Sequence, residues 1–296
     1  MKNLKNYGLA IITIALLWSC QKEENVVRRE NSEVQFFACY NNLPNTKATT
    51  TFTTSNKATI YACIAAAVPS STTFVSGTPL EATSQAGGVL TPTTPLYLPK
   101  GSYDFYSVAN NTNVAAGLTF TSGVSGQLSN NIDYLWAKAP AVSEGGIVNF
   151  TYNHKAVSLE INVAEGTGVS SLEVISIKIT PSKPNTSSTM NLATGTITPS
   201  TQKDVATAME LSGKKGIMVM LPMQSISLDI EVVVNAIIGG TQVNNKKYVA
   251  TITPMVYIEG TYYKLNLSVD AKEITFLEAQ VEDWTTQTIS ATTLNE

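Results

Sequence analysis

Between Val157 and Val163 the chain alternates apolar and polar residues without a break: Val157-Ser158-Leu159-Glu160-Ile161-Asn162-Val163. A period of two places successive side chains on opposite faces, which is the mark of an extended strand with one buried side. Related runs recur along the sequence. Asn31 to Tyr40 alternates so that Val34, Phe36, Ala38 and Tyr40 share the inward face and Cys39 points away. Thr59 to Ile64 is β-branched and aromatic, and Gly101 to Val108 sets Tyr103 and Phe105 against Asp104 and Tyr106. Leu172 to Ile179 carries a phase shift at Val174-Ile175, which predicts a bulge. Further strands are expected over Gly216–Leu221, Ser227–Ala236, Lys247–Thr253, Thr261–Val269 and Glu273–Val281. Turn chemistry separates them: Asn41 to Asn45 is a turn, and Gly87-Gly88 and Gly239-Gly240 read as hairpin turns. Asp133 to Ala137 reads as one helical turn and Lys203 to Leu211 as a short helix.

Roughly a dozen short strands with turn signals between them describe antiparallel sandwiches. That number exceeds one sandwich of about seven strands. The expected architecture is therefore all-β, two tandem antiparallel β-sandwich domains over 33–152 and 153–296, after a tether at 20–32 and a leader at 1–19. Composition agrees. Only 14% of residues are charged, and Thr, Ser and Asn supply most of the polarity, which suits hydroxyl-bearing strand faces.

Lys2 and Lys5 precede an apolar run, Leu9 to Trp18, that is too short to span a bilayer as a helix. The run closes on Leu17-Trp18-Ser19-Cys20, which resembles a bacterial lipobox. Cys20 is then the lipidated first residue of the mature chain, its sulfur carrying diacylglycerol. Several acyl chains, each contributing about 0.8 kcal/mol per buried CH2, would hold the protein on a membrane. Gln21-Lys22-Glu23-Glu24 resembles the surface-export signal of lipoproteins in Bacteroidetes, so the expected location is the outer membrane, facing outward.

Catalytic chemistry finds little support. The chain has one histidine, His154, in a turn-like junction between two strands, where a hydrogen-bonding role is the simplest reading. Cys39 and Cys63 are distant from each other and are expected to be free thiols; with a single histidine they form no metal-ligand pattern. No Gly-rich phosphate loop or Asp-rich calcium loop occurs. A net charge of -3 and only paired basic residues (Arg28-Arg29, Lys214-Lys215, Lys246-Lys247) give no nucleic-acid footprint. No enzyme activity, metal or cofactor is expected.

Several segments, taken in order, resemble the fimbrillin family, the type V pilus subunits of Bacteroidetes. They are Val34-Gln35-Phe36-Phe37-Ala38 with Thr46-Lys47-Ala48; Lys100-Gly101-Ser102-Tyr103-Asp104-Phe105-Tyr106; Phe150-Thr151-Tyr152-Asn153-His154-Lys155-Ala156-Val157-Ser158-Leu159; Met220-Leu221-Pro222; and Gly260-Thr261-Tyr262-Tyr263-Lys264-Leu265-Asn266-Leu267 with Val281-Glu282-Asp283-Trp284. The resemblance implies two transthyretin-like sandwiches, lipoprotein export, proteolysis and strand exchange with other pilin subunits. In those terms the first strand, with Val34, Phe36, Ala38 and Tyr40, is removed by cleavage between Lys47 and Ala48. The tail from Thr286, with Ile289 and Leu294, is then the candidate donor. Ile289 and Leu294 fall on opposite faces of a regular strand, so the pattern alone makes a weak donor. The family's cleavage usually follows Arg, whereas Lys47 stands here, so an Arg-specific protease would leave the strand in place. The expected role is a structural, tip or anchor subunit of a pilus, with a host or bacterial surface as a further partner.

The rival is a glycan-binding surface lipoprotein that stays uncleaved. It would stack sugars on exposed aromatics, for which Tyr134, Trp136 and Trp284 are the candidates.

Overall fold

The computed structural model describes residues 32–41, 51–283 and 287–289, and in it the alternating runs are strands. The chain is all-β, with no α-helix among the described residues. In the first half the strands are β1 (Ser32–Glu33), β2 (Gln35–Tyr40), β3 (Lys57–Ile64), β4 (Leu80–Ser84), β5 (Val89–Pro92) and β6 (Tyr97–Leu98). They continue with β7 (Ser102–Ala109), β8 (Phe120–Thr121), β9 (Val124–Ser125), β10 (Leu135–Ser143) and β11 (Ile147–His154). Seven of these close into a ring in the order β10-β11-β2-β5-β4-β3-β7.

The second half holds β12 (Val157–Glu165), β13 (Val169–Ile179), β14 (Thr207–Ala208), β15 (Glu210–Ser212) and β16 (Lys215–Met220). It ends with β17 (Met223–Ile238), β18 (Thr241–Tyr257), β19 (Thr261–Val269), β20 (Ile274–Asp283) and β21 (Gln287–Ile289). These form a six-stranded sheet, β15-β16-β12-β19-β20-β21, and a four-stranded sheet, β14-β13-β17-β18. Most neighbours are antiparallel, but each half contains one parallel pair, β2 with β11 and β12 with β19. Parallel neighbours need a long connection, and here most of each half's chain lies between the two partners.

The register of β13 shifts between Val174 and Ser176, where the sequence phase predicts it. Gly87-Gly88 joins β4 to β5, and Gly239-Gly240 joins β17 to β18, both antiparallel pairs. The two helical expectations are corrected. Leu135 and Ala137, two residues apart, are both fully buried against β7 and β11, so period two wins over one helical turn. Within Lys203–Leu211, the N–H of Met209 donates to the Ile177 carbonyl at 2.9 Å, and β14 pairs with β13; the backbone is satisfied by a sheet edge.

One apolar cluster lies inside the ring, with Phe36, Phe105, Phe150 and Tyr152, and a second lies between the two later sheets, with Leu159, Ile177, Val232 and Leu265. A third packs the outward side of β3 and β7 (Tyr61, Tyr106, Val108) against Met190, Leu192, Ile197 and Leu221. Strand β7 is consequently buried on both faces, and Asp104, on its outward side, is only 5% exposed.

Asp104 is held by the chain bending toward it. Ala66 and Ala141 both adopt left-handed backbone (φ 66° and 54°) and both donate N–H groups to its carboxylate, at 3.3 and 2.9 Å. Lys138 lies 3.4 Å away, and the β10 register shifts between Ala139 and Val142. Burial pushes the Asp104 carboxyl up, but those two N–H donors and Lys138 more than offset it and hold it below the usual carboxylate range. Burial likewise acts against Glu160, where Tyr262, Asn162 and Lys215 prevail, and against Asp229, where Lys203 and Thr251 prevail.

A carboxylate lowered in the folded state contributes stability above its unfolded pKa and loses it as pH falls through the folded value. Urea midpoints should therefore be flat above about pH 5 and fall below about pH 4. Asp104→Asn should lower stability at neutral pH by about 1–3 kcal/mol and flatten part of that acid limb. A variant with an unchanged midpoint and acid limb would show that the Asp104 clamp carries no stability.

Candidate functional site

Strand β2 sits between two partners of opposite direction. It runs parallel to β11, from Gln35 beside Ile147 to Tyr40 beside Tyr152, and antiparallel to β5 at Phe36–Leu90 and Phe37–Val89. Its ends are tied as well: the Val34 N–H donates to the Leu96 carbonyl at 2.9 Å and the Asn41 N–H to the Tyr152 carbonyl at 2.8 Å. Taking β2 out would open the ring and leave two rows of backbone groups without partners.

Val34, Phe36 and Ala38 are buried, and Tyr40 is half-buried, in the phase the sequence predicts. Phe36 is the anchor, 1% exposed. Its ring meets Phe105 edge-on at 5.8 Å and stacks on Phe150 at 6.3 Å. Gly88 presses on the strand from the β4–β5 turn. Its φ is +78°, and a β-carbon there would lie 2.3 Å from the Ala38 carbonyl oxygen, so only glycine lets β2 seat. Cys39, on the other face, is a free thiol, as is the buried Cys63.

The far end of β2 is polar. The Tyr40 hydroxyl donates to Asn111 Oδ1 at 2.5 Å, and Asn111 Nδ2 donates to Asp133 Oδ2 at 2.9 Å. Asp133 in turn lies 2.8 and 3.0 Å from His154 Nδ1, and the His154 ring stacks on Tyr40 at 5.9 Å. His154 is thus a structural partner at the joint between β11 and β12, and the circuit closes on the last inward residue of β2. Sequence reasoning missed this circuit because its members are far apart in the chain. The one cue was an isolated histidine at a strand junction.

Thr51 and Phe52 lie against the same core. Cys39 pairs with Thr51 as an isolated antiparallel bridge, and Phe52, 1% exposed, packs on Tyr40 and Tyr152. Cys20, Lys47, Ala48, Trp284 and Leu294 lie outside the described residues. Ile289 lies in β21, whose backbone pairs antiparallel with β20 at Ala279, so this part of the tail occupies an edge of its own chain's second half.

Of the expected sugar-stacking set, Tyr134 is buried and Trp136 is half-buried. Tyr134 is 2% exposed and its hydroxyl accepts the Ser129 N–H at 3.2 Å, so it offers no face to a ligand. Trp136 donates from Nε1 to the Leu192 carbonyl at 2.8 Å and lies against Gly195, where a β-carbon would come within 2.4 Å of the ring. Lys155 adds a cation 5.4 Å from the Trp136 ring centroid.

A family model described as fimbrillin-like matches residues 29–284. Among solved structures, a candidate cell adhesion protein from Bacteroides uniformis aligns with a TM-score of 0.61 at 16% identity, covering 86% of this chain and 100% of that one. A second, from Bacteroides ovatus, gives 0.60 at 14% identity over 87% and 99%. The tip fimbrial protein Mfa3 from Porphyromonas gingivalis, with a C-terminal truncation, gives 0.52 at 11% identity over 86% and 100%. At these identities the structural likeness speaks for the fold. No curated protein matches this sequence.

Truncating Phe36 to Ala should cost about 3–5 kcal/mol in urea unfolding, since it empties a site between two fixed rings. Gly88→Ala should also destabilise, through the Ala38 carbonyl, whereas Gly87→Ala, with open space around its β-carbon, should avoid that contact. Equal effects of the two glycine variants would remove Gly88 from the seat of β2.

Proposed function

This chain belongs to the fimbrillin-like family, and from that premise we propose that it is a pilus subunit assembled by replacement of β2. The observation that carries the reading is the seat of β2: one strand between two partners, apolar on its inward side and followed in sequence by Lys47. A protease cutting after Lys47 would sever the covalent tie between β2 and the strands that flank it. Release of Val34, Phe36, Ala38 and Tyr40 would leave a groove floored by Phe105 and Phe150 and edged by β5 and β11. An extended segment from another subunit would fill it, main-chain hydrogen bonds giving affinity and alternate side chains giving specificity. Repeated head-to-tail donation builds an open filament. The candidate donor is the tail with Ile289 and Leu294, which would first have to leave its pairing with β20.

Delivery proceeds through the leader and a lipid on Cys20, which would hold the uncleaved precursor at the outer membrane. The family's structural character and the polar junction around His154 both favour a non-enzymatic role. Lys47 in place of Arg favours a second position for the subunit: an anchor that keeps its lipid and its first strand because an Arg-specific protease passes it by.

The N-terminus and intact mass of the protein recovered from the cell surface separate these roles. For the exchanged subunit, the mature chain should begin at Ala48 and occur in high-mass polymers, and Lys47→Ala should leave it beginning at lipidated Cys20 and unpolymerised. If all recovered wild-type chains begin at Cys20, the cleaved-subunit reading is lost and the anchor stands.

A further inference from the structure

The outward side of the ring carries a cleft that strand exchange does not use. Its floor is the outer side of β3 at Thr59 and Tyr61 and the start of β4. Its walls come from two loops, 65–79 and 110–119, and from β8. The volume is about 620 Å³, inside the range of about 300–1,000 Å³ typical of small-ligand sites. Strand β3 is not hydrogen-bonded to β2, so the cleft belongs equally to a cleaved or an uncleaved subunit.

The floor is aromatic. Tyr61 packs against Phe120 at 5.4 Å and against Phe74 at 5.0 Å. Its hydroxyl donates to the Leu118 carbonyl at 2.8 Å, and burial pushes the phenol up to about 12, so it stays neutral. Tyr61 and Phe120 are buried; Phe74 is half-buried and lines the opening. Around that apolar surface stand short hydroxyl side chains. Ser71, Ser76, Thr119 and Thr121 are all exposed, and none makes a side-chain hydrogen bond to another described residue.

Glu81 is the one charged residue among those lining the cleft, with Lys57 3.8 Å from it. This chemistry selects a ligand class. An anion would meet a carboxylate and no lining cation. A wholly apolar ligand would strip water from the hydroxyl rim without replacing its hydrogen bonds. A molecule with one C–H face and hydroxyls around its edge satisfies both parts, and its hydroxyls can donate to the Glu81 carboxylate as charge-assisted bonds.

We infer that this cleft binds a neutral saccharide, one sugar ring lying against Phe74 with its hydroxyls on Glu81 and the serine and threonine rim. The inference stands apart from strand exchange, because binding is read on the unassembled chain.

Calorimetric titration of the full chain, purified in a detergent without a sugar headgroup, tests it. The probes are lactose, cellobiose and maltotriose, with sialyllactose as the anionic comparison and the tripeptide Gly-Phe-Gly as the peptide comparison. At least one neutral sugar should bind at about 10 mM or below, more tightly than sialyllactose or the tripeptide. Phe74→Ala should weaken it about fivefold and Glu81→Gln about tenfold. Ser76→Trp, at an exposed rim position, should abolish binding while leaving the thermal melt unchanged. Binding by none of the neutral sugars, sugar binding that survives Ser76→Trp, or preference for the tripeptide would each overturn the inference. None of these outcomes depends on whether the chain polymerises.

Discussion

The ring in the first half closes on a single strand, and Phe36 is what makes that closure tight. It fills the space between Phe105 and Phe150 and fixes the register in which β2 meets β11 and β5. Burying each large apolar side chain is worth about 1.5–3 kcal/mol, and a domain's whole stability is about 5–15 kcal/mol. The inward residues of β2 are therefore comparable to the margin by which this half stays folded. An empty groove is not a resting state, and any mechanism that takes β2 out has to bring a replacement in.

The polar end of the strand sets a second condition. Tyr40 reaches Asn111, Asn111 reaches Asp133, and Asp133 holds His154 at the turn into β12. A replacement strand that repeats only the apolar pattern would fill the groove and leave Asn111 Oδ1 with one fewer donor, retaining the Asn56 side chain at 3.0 Å. A hydroxyl at the Tyr40 position would complete the circuit. Specificity can thus reside at one end of the groove and affinity in the middle, which is how pairs of otherwise similar strands are told apart.

Local pattern reads well in this sequence and distant contact does not. The inward set Val34, Phe36, Ala38 and Tyr40, the β13 bulge and both Gly-Gly turns follow from period and turn chemistry, which act over a few residues. The five residues Asp133–Ala137 cannot distinguish a helical turn from the start of a strand, and the deciding partners, β7 and β11, are elsewhere. The surroundings of Tyr134 and Trp136 escape local pattern for the same reason. The contacts that half-bury Trp136, Gly195 and Leu192, follow more than fifty residues later in sequence. Period two puts Asp104 on the face opposite Phe105, and that face is also covered. Its role depends on left-handed backbone at Ala66 and Ala141, residues with no sequence signal for that conformation. The cleft at Phe74 likewise arises only when two loops meet.

The two halves differ in how their early strands are tied in, and that difference bears on the proposed exchange of β2. Each half pairs an early strand parallel to a late one, β2 with β11 and β12 with β19. Both early strands are internal and carry a buried apolar face, so burial alone does not distinguish them. Connectivity does. Strand β12 continues directly from β11 through Lys155 and Ala156 and onward into β13, so one cut leaves it covalently joined to a neighbouring strand. A cut between Asn41 and Thr51 leaves β2, with β1 attached, held to β5, β11 and β6 by noncovalent contacts alone. Those contacts, a short antiparallel ladder with β5, one parallel ladder with β11 and the Phe36 stack, are of a kind that another extended segment can reproduce. The strand that closes the ring is also the strand that a single cut can release.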